Sequence, residues 1–353
     1  MSAPRRPVRV LVCDDSAFAR KVLRDVLSRS TAIEVVDTAR DGIDALEKIA
    51  TLRPDVITLD LVMPNLDGLG VLAAMPPVDA PRVVVVSSSA SESDLVVRAL
   101  EAGAITAIEK PTALATERLY ELAGAVERAV LLAAEAKVHP ASATPPVTPA
   151  APFALPRHTR TKLLALGAST GGPRAITRVL AALPASFPVP IAVVLHMPVG
   201  YTEAFAARVN ETSVLDVQEA RDGLELIPGR AIIARAGMHL SVVREGERTV
   251  CALDVLPLET PHRPSVDVLF RSAAKLFGAD VLGVVLTGMG NDGLAGARDL
   301  VAAGAQLIVE DASTCVVYGM PRSVAEAGLA AAEVPIDAMA GEILARIAAG
   351  AER

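Results

Sequence analysis

The chain has no tryptophan, three tyrosines and six phenylalanines in 353 residues, so bases of a single-stranded nucleic acid have little to stack on. Positive charge is also short. Lys and Arg number 34 against 41 Asp and Glu, and the net charge of -7 opposes the clustered phosphate contacts that duplex binding requires. No nucleic-acid partner is expected. Cys13, Cys251 and Cys315 are odd in number, widely spaced and without C-x-x-C spacing, which argues against a secreted disulfide framework and fits a reducing cytoplasm. Long apolar runs are scarce too. The uncharged stretch 179–202 is long enough to span a bilayer, but it contains Pro184, Pro188, Pro190, Pro198 and His196, and so predicts a helix end, a loop and a buried strand. The first apolar run is short and ends at Asp14 and Asp15, unlike a signal peptide. A cytoplasmic protein without membrane insertion is expected.

What is present is ordinary globular material, 52% hydrophobic and 21% charged, in a length that suits two domains. The boundary signal is HPASATPPVTPAAPFALP at 139–156, with six prolines and no Asp, Glu, Lys or Arg, a composition that forms a semi-extended tether rather than a core. The expected division is a first domain over 1–128, a linker over 129–159 and a second domain over 160–350.

In the first domain VRVLV, EVVDTA, DVITL, RVVVV and AITAI read as strands alternating with amphipathic helices such as FARKVLRDVLS and GIDALEKIATL. Nearly continuous apolar strands imply a parallel sheet covered on both faces. The second domain repeats the alternation through KLLALG, IAVVLH, VLGVVLTG and QLIVED, with PGRAIIARAGMHLSVVREGERTVCALDVL as an antiparallel addition. The predicted class is α/β: two doubly wound parallel-sheet domains, the first flavodoxin-like, the second Rossmann-like with a small antiparallel addition. Sites in such sheets gather at the carboxyl ends of the strands.

Asp14 and Asp15 follow the first strand and Asp60 the third, so a 2-1-3-4-5 order brings three carboxylates to one edge. Their mutual repulsion calls for a hard divalent cation with oxygen ligands, Mg²⁺ above all. Ser87 ends the fourth strand and Lys110, before Pro111, the fifth. Carboxylate, hydroxyl, ammonium and metal together suit acceptance of a phosphoryl group. The competing reading is a helix N-cap at the aspartates and a solvated turn at the lysine.

The second domain carries two glycine-rich turns. TGMGNDG at 287–293 contains G-x-G-x-x-G after an apolar strand, with Glu310 and Asp311 ending the next strand, which is the pattern of dinucleotide binding. Against it, Asp292 would repel a pyrophosphate at the helix N-terminus. GASTGG at 167–172 is G-x-S-x-G between strand and helix, which exposes Ser169 at the sheet edge; a serine N-cap is the alternative. His196 ends a strand and Asp292 follows another, so Ser169, His196 and Asp292 suit nucleophile, base and orienting carboxylate, with His239 and His262 as rival bases. His139 and His158 lie in or beside the linker. The order Ser, His, Asp differs from that of α/β-hydrolases.

The first domain resembles the receiver domain of two-component response regulators, through DD at 14–15, LDLVMPNLDG at 59–68 and KP at 110–111. The resemblance implies phosphorylation of Asp60 by a histidine kinase, Mg²⁺ held by Asp14, Asp15, Asp60 and the Val62 carbonyl, and Ser87 and Lys110 contacting the phosphoryl group. Ala107 stands where receivers commonly carry a switch aromatic. The second domain resembles the CheB family of chemotaxis protein-glutamate methylesterases, through GASTGG, HMPVGYTEAFAARVN at 196–210, EARDGLELIPG at 219–229, HRPSVDVLF at 262–270, LTGMGNDG at 286–293 and CVVYGMP at 315–321. That resemblance implies hydrolysis of glutamyl γ-methyl esters, and deamidation of particular glutamines, on methyl-accepting chemoreceptors by Ser169, His196 and Asp292. The Met289 N–H would assist at the oxyanion, and no cofactor serves the ester step. A chemotaxis histidine kinase is the implied phosphodonor. A non-catalytic adaptor controlled by phosphorylation is the alternative.

Overall fold

Short runs of Val, Leu and Ile become fully buried strands in the computed structural model, which describes residues 6–76, 79–87, 92–110, 116–136 and 160–349. The chain divides into two compact units, residues 1–141 and 142–353. The linker expected over 129–159 lies outside the described residues from 137 onward, and residue 128 falls inside a helix that continues to Glu135. No helix among the described residues is long and apolar enough to cross a membrane.

The first unit runs β1 (Val8–Cys13), α1 (Ala17–Leu27), β2 (Ile33–Ala39), α2 (Gly42–Leu52), β3 (Val56–Leu59), α3 (Gly68–Ala74), β4 (Arg82–Ser87), α4 (Ser93–Glu101), β5 (Thr106–Glu109) and α5 (Thr116–Glu135). The sheet is parallel in the order β2-β1-β3-β4-β5, as expected. Residues 10–12 and 83–86 are buried without alternation, because helices cover both faces. Three helices start on side-chain caps: the Ser16 hydroxyl accepts from Ala19 N–H, and the Asp41 and Asp67 carboxylates accept from Asp44 and Gly70 N–H. The cap of α1 is therefore Ser16, which leaves the Asp14 and Asp15 carboxylates outside that role.

The second unit runs β6 (Leu163–Ala168), α6 (Gly172–Ala181), β7 (Ile191–Leu195), α7 (Thr202–Thr212), β8 (Asp216–Glu219), β9 (Arg230–Ile233), β10 (His239–Glu245), β11 (Arg248–Asp254), α8 (Val266–Phe277), β12 (Val281–Val285), α9 (Leu294–Ala302), β13 (Gln306–Glu310), α10 (Met320–Glu326), β14 (Ala332–Val334) and α11 (Ile336–Ala349). Seven parallel strands follow the order β14-β13-β12-β6-β7-β9-β8. The chain winds to both sides of β6, so β12 and β7 flank it and the crevice for a site opens at its carboxyl end.

The antiparallel addition is present but smaller than the segment expected to form it: β9 joins the parallel sheet beside β7, and β10 and β11 form an antiparallel hairpin. Burial explains the split. Residues 231–233 are buried in succession, as a covered parallel strand requires, whereas the hairpin ends in the exposed turn around Gly246. The helix α8 was not among the predicted elements. Its apolar face, Val266, Leu269, Phe270 and Ala273, is buried at helical spacing, and it packs on α9 and β10. All three cysteines are buried and in no disulfide, and burial pushes the Cys251 thiol up to about 12, far from a reactive thiolate.

Candidate functional site

In the first unit the topology delivers the acidic pocket. Asp14 leaves β1 and Asp60 leaves the adjacent β3; they are 0% and 1% exposed, and with the exposed Asp15 they bring carboxylate oxygens within 4.8 Å of one another. Asp60 is pinned by its own N–H to the Cys13 carbonyl (2.9 Å), and its Oδ1 accepts the Val62 N–H (3.1 Å). Lys110, at the end of β5, places Nζ 2.6 Å from Asp60 Oδ2 and 3.1 Å from Asp14 Oδ2. Burial pushes the Asp60 carboxyl up from its ordinary value; Lys110 pulls it back and Asp14 pushes it further up. One ammonium against three carboxylates leaves negative charge uncompensated, and the donor set is all oxygen, so the residues fit a hard divalent cation.

Ser87, at the end of β4, is fully buried, and its hydroxyl donates to Glu92 at 2.6 Å. Glu92 was not singled out in the sequence, because nothing in its spacing reveals that contact. Lys110 N–H bonds the Ser87 carbonyl at 2.6 Å, which ties the last two strand ends together. Ala107 is a buried residue of β5, and Pro111 lies outside the described residues.

In the second unit the three central strands, β12, β6 and β7, each deliver one predicted residue to the same edge. Ser169 follows β6 in a tight turn: its carbonyl accepts the Gly172 N–H at 2.7 Å, and Gly171 takes a φ of 78°, the left-handed region that favours glycine. His196 follows β7, and its N–H bonds the Ala168 carbonyl at 3.1 Å, which sets it beside the residue preceding Ser169. Asp292 follows β12.

His196 Nε2 lies 2.8 Å from Asp292 Oδ2, with both side chains largely buried. With Nε2 carrying the proton toward the carboxylate, Nδ1 is the basic nitrogen. Nδ1 is buried and lacks a hydrogen-bond partner, so it is the nitrogen left to take a proton from another group. His262 stacks on the His196 ring at 4.2 Å and 18°, restricting its tilt. Burial lowers the His262 pKa and the neighbouring His196 lowers it further, which favours the neutral ring. His239 is buried on β10, and its Nε2 lies within hydrogen-bond distance of the Pro257 carbonyl and the Thr260 hydroxyl. Neither rival base contacts Asp292 through a hydrogen bond.

Asp292 is held by more than the histidine. Oδ1 accepts from the Ser265 hydroxyl (2.8 Å) and from the N–H groups of Asp267 and Gly293 (3.1 Å each), and Oδ2 accepts the Val266 N–H (2.7 Å). The carboxylate thus caps the N-terminus of α8, where unpaired amides favour negative charge. Burial raises its pKa, but the His196 contact and these donors outweigh burial and bring it down to about 2. Ser265 was missed as a site residue. Its signal was present in HRPSVDVLF, where a serine precedes an apolar helical run.

Met289 lies on the exposed stretch between Gly288 and Asp292. Gly288 packs so close to the turn after β6 that a Cβ there would lie 2.8 Å from Ser169 Cβ. The Met289 backbone accordingly lies within one residue of a position in contact with Ser169.

Residues 164–343 match the CheB methylesterase family, and residues 10–122 match the response regulator receiver domain. A Myxococcus xanthus protein named protein-glutamate methylesterase/protein-glutamine glutaminase 5 is 58% identical over 336 residues, covering 94% of this chain and 96% of that protein. The chain belongs to the CheB methylesterase family. A Symbiobacterium thermophilum protein with the same enzyme name is 41% identical over 360 residues, covering 98% of this chain and 99% of its own. The crystal structure of the Thermotoga maritima CheB methylesterase catalytic domain matches with a TM-score of 0.51 at 39% identity, over 52% of this chain and 98% of that one.

Family membership does not favour the dinucleotide alternative, and the geometry gives the G-x-G-x-x-G pattern another use. Gly288 is spent on contact with Ser169 and Met320, and Glu310, which would have met a ribose, is buried on Thr287 and Thr314.

Proposed function

We propose that this CheB-family chain hydrolyses glutamyl γ-methyl esters, and deamidates particular glutamines, on methyl-accepting chemoreceptors, under control of phosphorylation at Asp60. The observation that carries the esterase reading is the His196 Nε2–Asp292 pair at 2.8 Å, which leaves a buried, unbonded Nδ1 on a residue whose backbone N–H bonds Ala168, the neighbour of Ser169. Ser169 Oγ attacks the ester carbonyl carbon while His196 Nδ1 takes its proton, and Asp292 steadies the imidazolium that results. The Met289 N–H stabilises the oxyanion. Collapse of the tetrahedral intermediate breaks the bond to the methoxy oxygen, which leaves as methanol with the proton from His196. Water then attacks the glutamyl-Ser169 ester with His196 again as base, releasing the glutamate carboxylate and restoring the Ser169 hydroxyl. With a glutamine substrate ammonia leaves instead.

In the receiver, Asp60 is the phosphoacceptor and a chemotaxis histidine kinase is the donor. The Asp14, Asp15 and Asp60 carboxylates and the Val62 carbonyl would hold Mg²⁺, which when bound neutralises charge on the phosphoryl oxygens. Lys110 pairs with those oxygens, and Ser87 reaches them once its hydroxyl leaves Glu92.

Two outcomes are expected. Methanol release from methylated receptor should rise with a small phosphodonor in Mg²⁺ buffer, and Asp60→Asn should abolish that rise; stimulation that survives the substitution rejects the phosphoacceptor. Excess EDTA should abolish the stimulation and leave unstimulated release intact, because no step at Ser169 uses the receiver's cation. A loss of basal release on chelation would contradict this division.

A further inference from the structure

Glu310 is a buried carboxyl for which the proposed hydrolysis has no use. It ends β13, is 1% exposed, and accepts two hydrogen bonds: Thr287 N–H to Oε2 at 2.8 Å and the Thr314 hydroxyl to Oε1 at 3.0 Å. Thr287 is a junction. Its carbonyl accepts the Ser169 N–H at 3.0 Å, and its hydroxyl donates to the Thr170 carbonyl at 2.9 Å and accepts the Val317 N–H at 3.0 Å. The next residue extends the clasp: Gly288 N–H bonds the Val317 carbonyl at 3.0 Å, and the Gly288 carbonyl accepts from Gly319 and Met320 at 3.1 and 2.8 Å. The Thr287–Gly288 pair therefore joins the nucleophile turn, the 315–320 segment and the loop that carries Met289 and Asp292.

We infer that Glu310 is a positioning residue for the ester reaction, holding Thr287 by its N–H so that Ser169 keeps its place against the Met289 amide and His196. This rests on Ser169 being the nucleophile. Truncation of Glu310 strands a buried amide donor, and the chain must shift to recover a partner. That shift falls on the residue whose carbonyl fixes the Ser169 backbone, where a displacement on the order of 1 Å costs about 100-fold in rate. Glutamine can stand in for the most part, because its amide oxygen accepts the Thr287 N–H while its NH₂ donates to the Thr314 hydroxyl, but like the protonated acid it lacks the charge that strengthens the Thr287 bond.

Glutamate differs from glutamine in that it titrates. Burial pushes the Glu310 carboxyl up to about 7; the Thr287 N–H, the Thr314 hydroxyl and Arg178 on α6 oppose this, and the neighbouring Asp311 adds to it. Arg178 is itself ion-paired with Asp337 on α11, and the buried Cys315 thiol donates to the Glu310 carbonyl at 3.7 Å. When Glu310 takes a proton, its hydroxyl must point at Thr314, whose own hydrogen then turns toward the Asp311 carbonyl at 3.4 Å. The bond to Thr287 N–H loses its charge assistance and the clasp loosens. The rate constant should thus fall as pH drops through 7, in addition to any loss from protonation of the general base.

The test is steady-state methanol release by the full chain on methylated receptor, with a fluorophosphonate probe to report on Ser169 directly. Glu310→Ala should lower kcat about 30- to 100-fold with KM within about twofold. Glu310→Gln should restore kcat to within about threefold and give a shallower acid limb than wild type, a change that a purely structural role would not produce. A folded Glu310→Ala protein with kcat within twofold of wild type overturns the inference, as does a Glu310→Gln protein whose kcat against pH superimposes on the wild-type curve. The second arm decides the matter if the alanine variant does not fold. Failure of the probe to label wild-type Ser169 would instead refute the nucleophile assignment.

Discussion

Ser169→Ala is expected to lower methanol release by a factor between about 10³ and 10⁶ without changing the thermal midpoint. The magnitude follows from what remains. In the proposed mechanism His196, Asp292 and the Met289 amide stay in place, so water would still be activated and an oxyanion still stabilised, but the covalent route that divides the reaction into two easier steps is closed. The unchanged midpoint follows from the environment of the side chain: Ser169 is partly exposed, and the turn is held by its backbone bonds to Thr287 and Gly172, which alanine keeps. A melting curve and a methanol assay on one preparation separate the two effects. Retained activity would remove Ser169 from the mechanism.

Asp292→Asn should cost on the order of 10⁴-fold in kcat and also destabilise the protein, a double effect that Ser169→Ala lacks. Asparagine presents one NH₂ where the aspartate presents only acceptors. Placed at Oδ2, the NH₂ opposes the Val266 N–H and forces the other tautomer on His196; placed at Oδ1, it opposes the N–H groups of Asp267 and Gly293. Either way a buried donor loses its partner, at about 1–3 kcal/mol.

The stability difference should depend on pH in one direction. The folded carboxyl is held at about 2 against an ordinary value of 3.8, so the carboxylate stabilises the native state above pH 4 by on the order of 2 kcal/mol. That contribution disappears as pH falls from about 4 toward 2. Denaturant midpoints of wild type and Asp292→Asn should therefore differ most near neutrality and converge in acid; a gap that widens in acid would show that the carboxylate is not the stabilising form.

The fold was readable to a large extent because both sheets are buried on two faces. Unbroken apolar strands such as residues 83–86 and 163–166 announce themselves without tertiary information, and serine or aspartate caps mark the helix starts after β1 and β3. The element that resisted was β9. Its sequence RAII is as short as a hairpin strand, and what makes it parallel is its neighbour β7, some forty residues away in the chain. The helix α8 escaped for a related reason: Asp292, 27 residues beyond Ser265, supplies the acceptor for its first amides. Glu310 shows the converse. Its place after a strand and near a glycine-rich turn matched a ribose-binding acid, and its actual partners, Thr287 and Thr314, give it no access to a ligand.

The scarcity of aromatic residues and of positive charge, the proline-rich break, and the spacing of Ser169, His196, Asp292 and the three receiver aspartates are all properties of the chain alone. They determined two α/β domains and the residue types available for the two chemistries, because strand periodicity and crossover handedness place strand-end residues at one edge whatever the details. The tertiary structure decided matters that depend on groups remote in sequence. It chose His196 over His262 and His239 as the partner of Asp292 and left the buried His196 Nδ1 without a hydrogen-bond partner. It turned Asp292 into the cap of α8 and joined Glu310 to Ser169 through Thr287. Each depends on the direction of a hydrogen bond across strands or loops, which packing sets and local sequence does not encode.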